Sequence, residues 1–127
     1  MKEATAELNN YRQSPRKVRL VAGAIRGKRV AEAKTLLDFI TKRATGPVHT
    51  LLSSAIANAK NAKLDVETLF VKSIEVNGGK IMYRRMPVAH GSANPIRKRT
   101  SHIRIILAER KAPTSLKLRG ASKKKTN

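Results

Sequence analysis

The chain has 127 residues, no cysteine, and a formal charge of +20 from 28 Lys and Arg against 8 Asp and Glu. That length fits one domain, the missing cysteine excludes disulfides and thiolate metal sites, and so large a positive excess marks a chain whose self-repulsion is relieved by a polyanion, with nucleic acid the first candidate and an anionic membrane surface the second. No apolar run approaches the ~20 residues needed to span a bilayer, and the opening MKEATAELNN lacks the apolar segment of a signal peptide, so a soluble cytoplasmic protein is expected.

Residues 4–11, ATAELNNY, read as a short, weak strand. RQSPRKVRLVAGAIRGK follows as a helix marked at both ends, with Ser14 as N-cap, Pro15 at the first helical position and Gly27 as the stop. Val18, Val21, Ala22 and Ile25 recur at i, i+3, i+4 and i+7 and form one apolar face. Val30, Ala33, Leu37 and Ile40 make the inward stripe of a second helix. Gly46 and Pro47 open a third, in which Val48, Leu51, Leu52, Ala55, Ile56, Ala59 and Ala62 keep helical spacing.

After Lys63 the period changes from helix to strand. In LFVKSIEV, 69–76, Phe70, Ile74 and Val76 share a parity that Lys72 interrupts. In HIRIILAE, 102–109, Ile103, Ile105 and Leu107 alternate with His102 and Arg104. The two segments pair most simply as an antiparallel hairpin. The expected fold is α+β: a compact body of three helices packed on a small antiparallel sheet, with residues 1–110 as a single domain. KAPTSLKLRGASKKKTN, 111–127, is a basic tail of low hydrophobicity expected to be disordered without a partner.

Between the strands lies MYRRMPVAHGSANPIRKRTSHI, 82–103, with five Lys or Arg, two His and no acid. If both legs run as strands to a turn near Met86 to Asn94, each has about 10 residues, and an arm over about 77–101 reaches roughly 30 Å beyond the body. Isolated hairpins are marginal in water. Lys80, Arg84, Arg85, Arg97, Lys98 and Arg99 make this one worse alone, but in a phosphate-lined groove the same charges become the attraction. Gly78, Gly79 and Gly91 permit bends, while Pro87 and Pro95 exclude helix. The tip, MPVAHGSAN, is small and nearly uncharged, so the legs are assigned to nucleic acid and the tip to another partner. The plain alternative is a disordered surface loop. Strand-like residues and basic clusters on both sides of the turn favour the protruding β-hairpin arm.

Arg16 and Lys17 in the first turn of the first helix oppose its dipole by about 0.3–1 kcal/mol each, while free N–H groups there favour an anion. A phosphate docked with Arg12 and Arg19 resolves both; a solvated basic face is the plain alternative, and at +20 net charge phosphate binding is favoured. Arg26, Lys28 and Arg29 suit a helix C-terminus and stay open to RNA contact. His102 reads as a hydrogen-bonding or phosphate-contacting residue, and His49 as a partly buried structural one. The three His are too far apart for a metal site, and the acids form no paired motif. With no phosphate-cradling glycine loop or nucleophile signature, no enzyme, metal or cofactor is expected. The aromatics are Tyr11, Phe39, Phe70 and Tyr83 alone, so phosphate and shape contacts should dominate over base stacking.

SPRKVRLVAGAIRGK, LLSSAIANAKN and MYRRMPVAHGSANPIRKRTSHI, in this order and spacing, resemble the bacterial large-subunit ribosomal protein twenty-two family over about residues 5–110. The resemblance implies a body on the outer surface of the large subunit near the polypeptide exit. It implies a hairpin running inward through the large (23S) ribosomal RNA, with its tip lining the exit tunnel and meeting the nascent polypeptide. Early binding during subunit assembly, neighbouring large-subunit ribosomal proteins as partners and no homo-oligomer belong to the same pattern.

Carried onto this chain, RNA contacts fall to Arg12, Arg16, Lys17, Arg19, Lys28, Lys80, Arg84, Arg85, Arg97, Lys98, Arg99 and His102. The tunnel-lining tip is Met82, Tyr83, Arg84, Met86, Pro87, Val88, Ala89, His90 and Gly91, and the positions of Met82, Tyr83 and Arg84 belong to the segment where alterations affect macrolide antibiotics. Tyr83 stands where the family often has a basic residue, and Val88 and His90 where it often carries more charge. From the residues alone, an architectural DNA-binding protein with a basic β-arm and a proline wedge remains the alternative. An anionic-membrane binder is disfavoured, because the basic residues gather on arm and tail and not along one amphipathic helix.

Overall fold

The computed structural model describes residues 2–110. Its elements are Glu3–Tyr11 (β1), Pro15–Ile25 (α1), Val30–Phe39 (α2), Thr45–Asn61 (α3), a 3-10 turn at Val66–Thr68, Leu69–Gly78 (β2), Met82–Pro87 (β3), Ala93–Lys98 (β4) and Ser101–Glu109 (β5). β1, β5 and β2 form a three-stranded antiparallel sheet with β5 in the middle, and β3 pairs with β4 in a separate ladder. The predicted α+β body with its hairpin arm is therefore observed. The weak first strand is a full sheet member, which leaves β5 without a free edge.

The helical periods translate directly into burial. Val18, Val21, Ala22 and Ile25 of α1, Val30, Ala33 and Leu37 of α2, and Val48, Leu51, Leu52, Ala55, Ile56 and Ala59 of α3 are buried. They meet Ala4, Ala6, Leu69, Val71, Ile74, Val76, Ile103, Ile105 and Leu107 on one face of the sheet. Each fully buried Val, Leu or Ile contributes roughly 1.5–3 kcal/mol, and this single cluster is the core. Ala62 falls at the C-cap of α3 and is exposed. Ser14 occupies the N-cap of α1, but its side chain makes no capping bond; its carbonyl accepts from the N–H groups of Lys17 and Val18 at 3.1 and 3.2 Å.

Simple alternation fails in β2, and the reason is a bulge. Val71 pairs with Leu107 and Ser73 with the adjacent Ile106, so Lys72 is an extra residue. Parity changes across it: Leu69 and Val71 before it and Ile74 and Val76 after it are all buried. Phe70 is thus separated from Ile74 and Val76, and its ring lies under the Arg110 guanidinium, 5.7 Å from the centroid. A second extra residue lies in β1 between Leu8 and Tyr11, where Asn10 takes φ 57. Asn tolerates this left-handed geometry through its short polar side chain.

β2 is an edge strand, and an open edge invites pairing with other chains. Here α1 covers it. Arg19 donates through Nε and Nη2 to the Val76 carbonyl at 3.2 and 3.0 Å, and Arg26 donates through Nη2 to the Ile74 carbonyl at 2.9 Å. Beyond them the Gly27 N–H donates to the Val71 carbonyl at 3.1 Å, and the Val71 N–H donates to the Lys28 carbonyl at 2.9 Å. Arg26 therefore acts on the sheet edge, a tertiary contact that its place at a helix C-terminus does not reveal.

Candidate nucleic-acid interface

The arm is not a continuous extension of the body sheet. β3 and β4 have 6 residues each, about 20 Å at ~3.3 Å per residue, and irregular backbone at 79–81 and 99–100 separates them from β2 and β5. This is shorter than uninterrupted legs of about 10 residues. Pro87 ends β3 and Gly79 stands in the irregular backbone at the root, whereas Pro95 is taken into the ladder opposite Arg85.

Polar bonds clamp the arm's root. Thr100 is 4% and Ser101 0% exposed. Thr100 Oγ1 donates to the Lys80 carbonyl at 2.6 Å, and the Gly79 N–H donates to the Thr100 carbonyl at 2.9 Å. Ser101 Oγ donates to the Gln13 carbonyl at 2.5 Å, while the Tyr11 hydroxyl donates to Gln13 Oε1 at 3.0 Å. The Asn10 N–H donates to His102 Nδ1 at 3.1 Å, which puts the imidazole proton of a neutral ring on Nε2. The loop from β1 to α1 thus grips the root. His102, expected to contact phosphate or hydrogen-bond, has an internal bond already.

Beyond the root, no element among the described residues packs on the arm. The pairs run from Met82 opposite Lys98 to Pro87 opposite Ala93, and the turn closes through a Val88 N–H bond to the Ser92 carbonyl at 2.9 Å. His90 and Gly91 take φ 62 and 72 there. Lys80, Arg84, Arg85, Arg97, Lys98 and Arg99 are all exposed, and no acid occurs between Glu75 and Glu109. Ion pairs among the described residues lie on the body, Glu3 with Lys72 and Glu7 with Arg104 at 3.3 Å, and there too His49 Nε2 lies 3.7 Å from the Asp38 carboxylate.

The predicted cations converge at the root. One recess of about 840 Å³ is lined by Arg12, Gln13, Ser14, Lys17, Arg43, Arg97, Lys98 and Arg99. A second, of about 500 Å³, is lined by Arg12, Met82, Tyr83, Arg84, Arg85 and Lys98. Arg12 and Lys98 border both, and no acid lines either. Such a surface attracts anions, since the charges lining it have one sign and none is paired with an acid among the described residues. Arg43 was not among the expected contacts. Its only sequence signal was the Lys42-Arg43 pair in a loop, and the fold alone brings that loop to the arm.

Other expected residues are placed differently. Arg16 is exposed on α1 outside both recesses, and Arg19 is bonded to β2. Lys28 borders a separate recess along α2 with Ala31, Glu32, Thr35 and Leu36. Met82 and Tyr83 are at the body end of β3, opposite Lys98 and Arg97. They belong to the root and not to the tip, because the turn begins only after Pro87.

A small helix-backed sheet carrying a detached, acid-free basic ladder has the build of a protein that holds a polyanion by charge and shape. The family model for ribosomal protein L22p/L17e matches residues 6–108, and the chain belongs to this family. Among its relatives named large ribosomal subunit protein uL22, that of Myxococcus xanthus is 46% identical over 112 residues, covering 86% of this chain and 98% of the relative. That of Mesoplasma florum is 54% identical over 108 residues, with 84% and 96% covered. That of Caldicellulosiruptor saccharolyticus is 50% identical over 111 residues, with 87% and 91% covered.

The resemblance read from the three sequence segments is borne out. Membership carries a structural, RNA-binding role in the ribosome, non-catalytic, with ribosomal RNA and ribosomal proteins as partners in general. Among the described residues no helix is long and apolar enough to cross a membrane, and no group of acids and His is arranged to hold a metal ion.

Proposed function

We propose that this protein is a structural constituent of the large ribosomal subunit that binds the 23S RNA and assists subunit assembly in the cytoplasm, working as a single copy. Residues 1–110 act as one RNA-binding domain. The body docks through Arg12, Lys17 and Arg43, the arm passes between RNA segments and fastens them, and the turn from Met86 to Gly91 lines the polypeptide exit tunnel and meets the nascent chain. The observation that carries this reading is the pair of acid-free recesses at the root, where body and arm cations face the same space. RNA held there contacts both parts at once.

Filter binding to 23S RNA over a salt series tests it. The log affinity is expected to fall against log salt by about 0.7–0.9 per phosphate neutralised. The triple variant Arg97→Ala, Lys98→Ala, Arg99→Ala then loses about 2–3 from that slope and co-sediments poorly with large subunits. A flat salt response, or release of the cellular protein by DNase and not by RNase, would replace this reading with the DNA-binding alternative.

A further inference from the structure

Aromatic scarcity argues against base stacking, but it counts rings and does not say where they lie. Tyr11 is half-buried with its hydroxyl on Gln13, and Phe70 lies under Arg110. Tyr83 differs. It is 63% exposed at the arm's root and borders the recess formed with Arg12, Met82, Arg84, Arg85 and Lys98. Among the described residues the one cation stacked on a ring is Arg110 on Phe70, so no guanidinium lies over the Tyr83 face.

A large ring left open to water within a group of four cations suits one kind of ligand. A carboxylate peptide would pair with the arginines and leave the ring unused. An unpaired nucleotide uses everything present: its base has a flat, largely apolar face for the ring, and its phosphates carry the charge that the cations lack. β3 holds the tyrosine backbone in a ladder, and the clamped root brings the body end of that ladder beside Arg12.

We propose that Tyr83 is a stacking platform for one unpaired nucleobase of the bound RNA, with Arg12, Arg84, Arg85 and Lys98 receiving the phosphates around it. This rests on the RNA-binding reading above and adds to it a site that reads a base, where the remaining contacts read only phosphate and shape.

The composition supplies the probe. The chain has no Trp and 2 Tyr, so Tyr11→Phe leaves Tyr83 as the only tyrosine fluorophore. The full-length variant, with its fold checked by circular dichroism, is titrated with a short oligoadenylate and with an abasic oligomer of equal length and charge. Quenching by the oligoadenylate and not by the abasic strand is expected. In the otherwise wild-type chain, Tyr83→Leu should weaken oligoadenylate binding about 5- to 150-fold at fixed salt with the salt slope unchanged, while Tyr83→Phe binds as wild type does.

Equal quenching by the abasic strand, or wild-type affinity in Tyr83→Leu, overturns the platform. So does quenching by a ribosomal protein and not by RNA, which would mark the ring as a protein contact. If 23S RNA binding remains tight and salt-dependent in those cases, the platform alone fails. If 23S RNA does not bind at all, the reading beneath it fails as well.

Discussion

Gly79 lies where the arm leaves the body, in space that its neighbours already fill. A Cβ there would stand 2.5 Å from Thr100 Oγ1 and 3.0 Å from His102 Nε2. Neither neighbour is free to retreat, since the Thr100 hydroxyl holds the Lys80 carbonyl and His102 takes the Asn10 N–H. Gly79→Ala is therefore predicted to cost about 1–3 kcal/mol, measured by urea unfolding. In a Thr100→Ala background the same change should cost less, because the nearest atom has gone; equal costs would show that the root relaxes around the added methyl. Glu3 provides a pH test. Its carboxylate accepts a hydrogen bond from the Lys72 ammonium, and this bond, helped by the attraction of that charge, holds its pKa below the usual carboxylate range against a desolvation that pushes the other way. A depressed folded-state pKa contributes stability above the unfolded value, and the contribution is lost as pH falls through the folded one. The Tm of the wild type should accordingly drop more steeply into acid than that of Glu3→Gln, and parallel curves would show that the pair contributes nothing.

At the scale of elements, the bulge in β2 makes an unusual deletion tolerable. Removing one residue from a strand normally sends every later side chain to the other face. Lys72, however, has no partner in the ladder, and without it Leu69, Val71, Ile74 and Val76 alternate regularly with Phe70, Ser73 and Glu75. Deleting Lys72 should leave a cooperatively unfolding protein, with a loss inside the ordinary single-mutation range of about 0.5–3 kcal/mol. Deleting Glu75 instead should abolish cooperative unfolding, because Val76 can no longer face the core in register with Ile103. Circular dichroism melts distinguish the two outcomes. The helical faces were legible except at the C-caps Ile40 and Ala62, since a 3.6-residue period survives small errors of boundary. β2 was less legible because period 2 has no tolerance, and a single extra residue hides half the pattern.

At the scale of the whole molecule, folding and binding are separated in space. The core cluster contains no residue from Gly79 to Thr100, and among the described residues no acid pairs with the cations around the root. Replacing residues 80–99 by a two-residue Asn-Gly hairpin turn should therefore leave the body folded, with its urea transition intact. Affinity for 23S RNA should fall by orders of magnitude and its salt slope by about 0.7–0.9 for each arm phosphate lost. Loss of cooperative folding in this variant would mean that the arm helps to hold the body together. The candidate site was half legible on the same grounds. The run from Lys80 to Arg99 announces itself by charge, whereas Arg43 is remote in sequence and Arg19, alike in composition, turned out to cover a strand edge.

The amino-acid sequence by itself determined the apolar faces of the helices, the central strand, the existence of a basic excursion between two strands and the family, because each is written in local period, charge or motif order. Only the tertiary structure decided which arginines face solvent and which bond to β2, that Tyr83 belongs to the root, and that Arg12, Arg43 and Lys98 share one surface. Those outcomes depend on the direction in which a side chain points and on which distant segment it meets. Bulges, packing and the clamped root set both, and none of these can be read from spacing along the chain.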